Sequence, residues 1–471
     1  MEQPAEETLH PRTLRLLAFA WIGVVLFVGV CTFLGILWAI GGQSSSASAA
    51  AALPIDPASA AESQPADEPG AAPPNTPVEG TELSTNPPTE SSAASPATTS
   101  PPTPIASPAP TLDRSFAYGV QSRLEVATDR TVESLIDLGV PWVKIEVRWD
   151  EIEATQGEPD WSTLDSILEA TSQNDIRVLA TVVGAPDWAR TTITEGRIGP
   201  PDDPTAFADF VGQLVTRYGG QINAIELWEE QNLIEQWDSG TDLSAQSYVS
   251  FLAPAAQAVR EADNTVVIVS GAPAPTGLND AAVAIDDFLY MQGMLDAGLL
   301  SVVDCVGVSA NGNNLPPTQT AEDAFSQGIP PGTIFIGPFD VDNPLNPHHS
   351  WSFYSTINGH HDIIVSSGED TPLCVTSFGW ATIVGMEGDV PAGAEFALDN
   401  TLETQSEYVL GALEQLRDWD FVWMAFLYNL DYSPKANGDP QAEGTLFSIL
   451  DPEGNPRPAY EALQSFSVPT P

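Results

Sequence analysis

The chain has 471 residues, of which 64 are acidic and 15 are Lys or Arg, so its formal net charge at pH 7 is −49. This excess of negative charge excludes nucleic acid and anionic membrane surfaces as favoured partners. The chain is too long for one ordinary domain. However, many of its 42 prolines and of its Ala, Ser and Thr residues lie before residue 112, in sequence unlike that of a folded domain.

The first distinct segment is Leu16–Ile40, which has no charged residue and is rich in Leu, Val, Ile and Phe. An apolar segment of about 25 residues can span a bilayer with some tilt. Arg12 and Arg15 precede it, and no Lys or Arg follows until Arg114. The positive-inside rule therefore predicts a single-pass protein of the cell membrane, with the later residues extracellular. A cleaved signal peptide is the alternative, because small residues follow at Ser44–Ala52.

The segment from residue 41 to residue 112 consists mainly of Pro, Ser, Thr and Ala and has no Lys or Arg. It cannot bury enough apolar surface to fold, so a disordered linker is predicted. A flexible linker of this length reaches roughly 50 Å on average. The predicted organisation is a cytoplasmic N-terminus (residues 1–15), a transmembrane anchor (16–40), a linker (41–112) and a globular domain (113–471).

In the globular domain, strand-like and helix-like segments alternate eight times. The predicted strands are Phe116–Gln121, Val143–Trp149, Arg177–Val183, Asn223–Trp228, Val266–Ser270, Val303–Ser309, Leu373–Phe378 and Val422–Tyr428. Eight β/α units predict an α/β domain with a (β/α)8 (TIM) barrel. A doubly wound open sheet is the alternative, but no Gly-rich phosphate loop follows the first strand.

The fourth predicted strand ends in a run of acidic residues, within Ala224–Asn232. Strand periodicity places alternate side chains on opposite faces. The set predicted to face the barrel interior comprises Glu226, Trp228 and Glu230, and the opposite set comprises Ile225, Leu227 and Glu229. A carboxylate beside a Trp at the C-terminal end of a barrel strand suggests carbohydrate acid/base chemistry, with a solvated strand end as the structural alternative.

The second predicted strand places three charged side chains on one face, those of Lys144, Glu146 and Arg148. Buried charges require partners, so we expect these three residues and Glu226 to form one network inside the barrel. A structural barrel floor and a catalytic role fit Lys144 and Glu146 equally well. Arg148 lies nearer the C-terminal end of the strand and is the better candidate for a site residue.

The cysteines and histidines suggest neither a disulfide nor a metal site. Cys305 and Cys374 each follow the start of a strand-like segment. The alternation of side chains along these strands does not require the two cysteines to face each other, so buried free thiols are expected. The histidines after residue 300 form two adjacent pairs, at 348–349 and 360–361, without metal-ligand spacing. No metal and no cofactor is expected.

Five motifs carry a family resemblance that extends from about Phe116 to Phe466. They are Arg148-Trp149 with Gly157 and Asp160-Trp161, Ala185–Ala189, Leu227–Asn232, Val375–Trp380 and Pro456–Tyr460. The globular domain resembles the clan A glycoside hydrolases, retaining (β/α)8-barrel enzymes that include cellulases and xylosidases. The fourth-strand motif resembles Trp-Asn-Glu-Pro-Asn, and the seventh-strand motif resembles Thr-Glu-Phe-Gly-Trp.

The resemblance implies roles for individual residues. Glu230 corresponds to the general acid/base, residue 377 corresponds to the nucleophile, and Arg148 is expected close to residue 377. The candidate carbohydrate-binding residues are Arg148, Trp149, Trp188, Trp228, Asn232, Asn311 and Trp380.

The departures from the family pattern occur at the positions that would carry out the reaction. Ser377 replaces the nucleophilic Glu, Glu229 replaces an Asn that binds the sugar 2-hydroxyl, and Gln231 replaces a Pro. Retention requires two carboxyl groups about 5 Å apart. A Ser hydroxyl without an adjacent base is a poor nucleophile.

Three interpretations follow. The first is a barrel that binds a poly- or oligosaccharide and has lost or altered retaining hydrolysis. The second is an active glycosidase in which Glu230 acts with a relocated carboxylate, either Glu229 or one of Glu387 and Asp389 after strand seven. The third is a structural surface protein without a ligand.

Overall fold

The computed structural model describes residues 114–468 except 341, 342, 344 and 437. Eight parallel strands follow one another around a nearly closed barrel. We number them β1 to β8: Ala117–Gln121, Trp142–Arg148, Arg177–Val183, Ala224–Leu227, Val267–Ser270, Val306–Asn311, Leu373–Gly379 and Val422–Leu427. The predicted (β/α)8 barrel is thus confirmed, and the doubly wound alternative is wrong.

One main helix follows each strand. These helices, α1 to α8, are Leu124–Leu138, Ser162–Gln173, Pro204–Arg217, Ala245–Ala262, Asp287–Asp296, Phe353–Ser366, Leu402–Asp418 and Pro458–Ser465. Local sequence sets several of their ends. For example, the Asp203 side chain accepts a hydrogen bond from the Thr205 amide and caps α3, and Pro204 occupies the first turn, where no amide hydrogen is needed.

The strand order shows how the barrel closes. β1 pairs with both β2 and β8, and pairing continues to β5 on one side and to β6 on the other. Between these last two strands, the Ser270 amide donates to the Cys305 carbonyl at 3.2 Å. The C-terminal ends of all eight strands therefore lie at one end of the barrel, where such barrels carry their sites.

The barrel interior changes from apolar to polar along the strands. The apolar layer comprises Trp142, Leu179, Ala224, Val267, Val269, Cys305, Cys374, Trp423, Met424 and Phe426. Two residues further along their strands lie Lys144, Thr181 and Glu226, which are buried. Because alternate residues of a strand share a face, these polar side chains form the next layer towards the C-terminal end.

The two cysteines form a disulfide, so the prediction of free thiols is wrong. The Cα atoms of Cys305 and Cys374 are 5.8 Å apart, within the usual range for a disulfide. Cys305 immediately precedes β6, and the register aligns Cys374 on β7 with Gly307. Both side chains enter the apolar layer, a proximity that depends on the strand register, which sequence parity cannot supply.

The proposed N-terminal anchor and linker lie outside the described residues. Within residues 114–468, as far as they are described, no helix is both long and apolar enough to cross a bilayer.

Candidate functional site

A polar cavity of about 230 Å³ lies at the C-terminal ends of the strands. It is lined by Gln121, Arg123, Glu146, Glu229, Glu230, Ala272, Ser309, Asn311, Thr376, Ser377, Tyr428, Glu443, Gly444 and Phe447. A larger cavity of about 430 Å³ lies at the opposite end of the barrel, where Trp142 and Trp423 contribute to its walls. The first cavity has four glutamates and is the candidate site, because barrel sites lie at the C-terminal ends of strands.

The backbone at the end of β4 brings two consecutive glutamates to this cavity. The strand ends at Leu227, and both Trp228 (φ 79°) and Glu230 (φ 52°) adopt left-handed backbone conformations. Such conformations are unfavourable for residues other than glycine and often occur at functional sites. They interrupt the strand alternation, so Glu229 lines the cavity together with Glu230. The prediction that Glu229 faces away from the interior is therefore wrong.

Trp228 does not line the cavity. Its ring packs against Phe207, Trp237 and Phe251, and its indole nitrogen donates to the Gln236 carbonyl at 2.8 Å. The side chain is completely buried. The predicted inward orientation of Trp228 is wrong because the change of backbone conformation occurs at this residue.

Lys144 lies below the cavity between two carboxylates. Its ammonium group is 3.1 Å from Glu226 Oε2 and 2.9 Å from Glu229 Oε2. Burial disfavours the charge on Lys144, but the two carboxylates outweigh burial and raise its pKa. Glu226 also accepts hydrogen bonds from Thr181 at 2.6 Å and Thr376 at 2.7 Å. These contacts satisfy a fully buried carboxylate, whose pKa burial nevertheless raises.

Glu230 has the electrostatic properties of a proton donor. Burial and then the negative charge of Glu229 raise its pKa to about 7, although Lys144 acts in the opposite direction. Glu443 and Glu146, which also line the cavity, contribute to the rise. A carboxyl group with such a pKa is partly protonated at neutral pH, as general acid catalysis requires.

A β-bulge places two hydroxyl groups on the cavity wall. Val375 pairs with Val308 and Ser377 pairs with Ser309, so Thr376 is an extra residue on β7. As a result, the adjacent residues Thr376 and Ser377 both line the cavity. The Thr376 hydroxyl donates a hydrogen bond to Glu226. Ser377 lines the same cavity as Glu230.

The charged residues of β2 do not form the single predicted network. Lys144 contacts Glu226, but Glu146 lies 3.6 Å from Arg123. Arg148 makes two hydrogen bonds with Asp150, at 2.9 and 2.6 Å. Arg148 does not line the cavity that contains Ser377. The guanidinium group of Arg148 is instead bound by the Asp150 carboxylate in the same chain segment.

The other predicted tryptophans lie in the packing around the barrel. The Trp149 ring packs against Phe210, and its indole nitrogen donates to Glu153 at 2.9 Å. The indole nitrogen of Trp188 donates to the Glu153 carbonyl at 2.7 Å, and that of Trp380 donates to the Leu315 carbonyl at 2.8 Å. None of these three residues lines the cavity, because their rings fill space between strands, helices and loops.

The two predicted asparagines differ in position. Asn232 is buried, and its amide donates to the carbonyls of Ala274 and Ile285, both at 2.8 Å, so it joins two loops. Asn311, at the end of β6, lines the cavity. Its buried Oδ1 has no hydrogen-bond partner among the described residues, which makes it a candidate acceptor for a ligand.

Of the relocated carboxylates considered from the sequence, Glu229 lines the cavity, whereas Glu387 and Asp389 are exposed and do not. Sequence reasoning missed Arg123, Tyr428 and Glu443. Each of these residues lies in a loop that follows a strand, and none belongs to a recognisable motif. Only the barrel topology, which places such loops around the site, could have suggested them.

Comparisons with known proteins support the fold. No protein-family model and no curated protein sequence matches the chain. A family 39 glycoside hydrolase from Bacteroides cellulosilyticus WH2 superposes with a TM-score of 0.52 at 17% identity, covering 75% of this chain and 64% of its own. The GH39 enzyme from Xanthomonas axonopodis pv. citri gives a TM-score of 0.50 at 16% identity, with 75% and 66% covered.

A monomeric β-xylosidase from Caulobacter crescentus CB15 also gives a TM-score of 0.50 at 16% identity, with 75% and 68% covered. This chain thus spans about two thirds of the length of these proteins. At such identities the likeness concerns the fold, and it agrees with the glycoside hydrolase barrel that the sequence motifs implied.

Proposed function

We propose that the cavity binds a carbohydrate and that retaining hydrolysis is lost or altered. The observation that carries the proposal is that Glu230 and Ser377 line the same cavity. In the family that the motifs resemble, these positions hold the two carboxyl groups of a retaining enzyme. Here a carboxyl group remains at the first position, and a hydroxyl group occupies the second.

The cavity wall suits a sugar. Carboxylates, hydroxyl groups and the unpartnered Asn311 Oδ1 offer hydrogen bonds to several sugar hydroxyls. A volume of about 230 Å³ lies below that of pockets for drug-sized ligands and favours a single sugar ring, such as a terminal residue of a glycan. Tyr428 and Phe447 supply the apolar surface that a sugar ring requires.

A second candidate function is hydrolysis with a relocated carboxylate. The observation that favours it is the contrast between the two adjacent glutamates. The pKa of Glu230 is raised to about 7, whereas Glu229 accepts a hydrogen bond from the charged Lys144 at 2.9 Å. Two carboxyl groups in such different surroundings can divide the acid and base roles. Glu230 would protonate the leaving oxygen, and Glu229 would activate water.

A glycan array with the full-length protein tests the proposed binding. Asn311→Ala removes an acceptor from the cavity and is expected to weaken binding about tenfold, the effect of one hydrogen bond. Asn279→Ala, at an exposed position of a two-residue strand, is the matched control and should bind like the wild type. A folded protein that binds no glycan would contradict the proposal and favour a structural role without a ligand.

Incubation of the bound glycans with the protein separates binding from hydrolysis. Binding without cleavage is expected from the first function. Cleavage that is lost in Glu230→Gln, with inversion at the anomeric carbon, would instead establish the second function.

We also propose that the barrel is extracellular and membrane-anchored. Arg12 and Arg15 before Leu16–Ile40 support this orientation. The Cys305–Cys374 disulfide supports it as well, because disulfides persist mainly in oxidising compartments.

A further inference from the structure

Outside the cavity, two loops and the helices that follow them bring together three histidines and two aspartates. The group lies where the loop between β5 and α5 meets the loop between β6 and α6. Its members, which we call the histidine cluster, are Asp286, Asp287, His348, His349 and His360. They include three of the five histidines in the chain. None of them lines the candidate carbohydrate cavity.

The atoms of the cluster are separated by short distances. His348 Nε2 lies 3.0 Å from Asp286 Oδ2. Asp287 lies 2.9 Å from the Nε2 atoms of both His349 and His360. Asp286, His348 and His349 each offer one possible ligand atom. These three atoms lie within 4.8 Å of one another. Asp286 is 62 residues away from His348, so the fold alone joins them, and spacing in the sequence does not reveal the arrangement.

The surrounding hydrogen bonds orient these ligand atoms. Asp286 Oδ1 accepts from the amides of Phe288 and Leu289 at the start of α5, which leaves Oδ2 directed at His348. His348 Nδ1 lies 2.8 Å from Ser350 Oγ, which fixes the ring with Nε2 facing Asp286 Oδ2. Ligating histidines are commonly held through their second nitrogen in this way.

His360 provides a second, independent observation. Its side chain is completely buried, yet neither ring nitrogen has a hydrogen-bond partner with suitable geometry among the described residues. Its Nε2 nevertheless lies 2.9 Å from Asp287 Oδ2. Two imidazole rings thus converge on the Asp287 carboxylate, which places several potential ligands at the centre of the cluster.

The charges of the cluster indicate which ligand it would bind. Asp287 is completely buried and Asp286 is largely buried. The two carboxylates lie in a region of low exposure, where a nearby cation is favourable. A divalent ion would neutralise both carboxylates. Imidazole and carboxylate ligands together suit Zn²⁺ better than Ca²⁺ or Mg²⁺, which prefer oxygen ligands alone.

We propose that Asp286, His348 and His349 bind a zinc ion, with Asp287 and His360 completing the site. Ligand atoms at about 2.1 Å from one zinc ion are roughly 3.4 Å apart, so the Asp286–His348 pair at 3.0 Å would open slightly and any longer separation in the group would close. The ion would join the loop before α5 to the loop before α6 and stabilise both.

Zinc titration of the full-length, detergent-solubilised protein after treatment with a chelator tests this proposal. We expect one tight site per chain by calorimetry and a melting temperature that rises with zinc. Asp286→Asn retains a good helix-capping residue but removes the charge, and it should weaken this site at least tenfold. His348→Gln should do the same.

His361→Ala is the matched control. His361 follows His360 in sequence, but its nearest carboxylate, that of Asp362, is 3.9 Å from its Nδ1. This variant should bind zinc like the wild type. Replacement of zinc by Co²⁺ gives visible absorption bands that report nitrogen and oxygen coordination, and these bands should disappear in His348→Gln. The absence of a tight site, or equal affinity in Asp286→Asn, His348→Gln and His361→Ala, would overturn the proposal.

Discussion

Lys144 Nζ lies 3.1 Å from Glu226 Oε2 in the barrel interior, where both side chains are almost completely buried. The pair lies between the apolar layer and the cavity, and Lys144 also contacts Glu229 on the cavity wall. The buried ion pair thus links the barrel core to one of the two candidate acids. The stability of the Lys144–Glu226 ion pair and the position of Glu229 are therefore coupled.

We predict that Lys144→Met destabilises the barrel by about 3–5 kcal/mol, because it leaves the buried charge of Glu226 uncompensated. The combined variant Lys144→Met with Glu226→Gln removes both charges and should recover much of this loss. Chemical denaturation of the wild type and both variants measures the effect. Equal destabilisation by the single and the double change would contradict the coupling.

The raised pKa of Glu230 predicts a specific dependence of stability on pH. An unfolded Glu titrates near 4.3, and Glu230 in the fold titrates at about 7, so between these values the folded state binds the additional proton. The contribution of Glu230 to stability therefore falls as the pH rises from about 4.3 to about 7, by at most about 4 kcal/mol.

Urea unfolding between these pH values measures this contribution as the difference between the wild type and Glu230→Gln. Glu387→Gln, at an exposed loop position, is the control and should follow the wild type. If the curves of the wild type and Glu230→Gln remain parallel, the pKa of Glu230 is not raised.

Ser377→Glu is expected to introduce a second carboxylate opposite Glu230 and some retaining hydrolysis of an activated aryl glycoside. The rate should exceed that of the wild type at least tenfold, because the nucleophile is restored. Ser377→Gln has a similar size without the charge and should remain inactive. The double change Ser377→Glu with Glu229→Asn should exceed the single change, because an Asn at residue 229 can bind the sugar. A wild type as active as the double variant would show that another residue is the nucleophile.

The disulfide is expected to contribute about 4 kcal/mol to the stability of the barrel, since it closes a loop with a sequence separation of 69 residues. Replacing both Cys305 and Cys374 by Ala should lower the free energy of unfolding by this amount. A reducing agent should lower the stability of the wild type and leave that of the double variant unchanged. Equal sensitivity of both proteins would contradict a structural disulfide.

The proposed topology predicts that protease added to intact cells releases the barrel by cutting between residues 41 and 112. An exposed segment rich in small residues is a preferred site of cleavage. The released fragment is measured with an antibody against the barrel. Protection of the barrel until the cells are lysed would refute an extracellular location.

The sequence by itself determined the barrel and much of its polar interior. Alternating aliphatic and charged residues on β2 predicted that Lys144 and Glu146 face inward, and they do. The motifs also identified Glu230 and Ser377 as candidate site residues, and both line the cavity. Such predictions succeed because the periods of strands and helices are local properties of the chain.

Tertiary structure decided the details of the site. The left-handed backbone at Trp228 turns its ring into the core and brings Glu229 to Lys144, and the bulge at Thr376 adds a second hydroxyl to the cavity wall. The disulfide and the histidine cluster join residues that are far apart in sequence. Local periodicity carries no information about strand register or loop contacts, because these depend on how distant segments pack against one another.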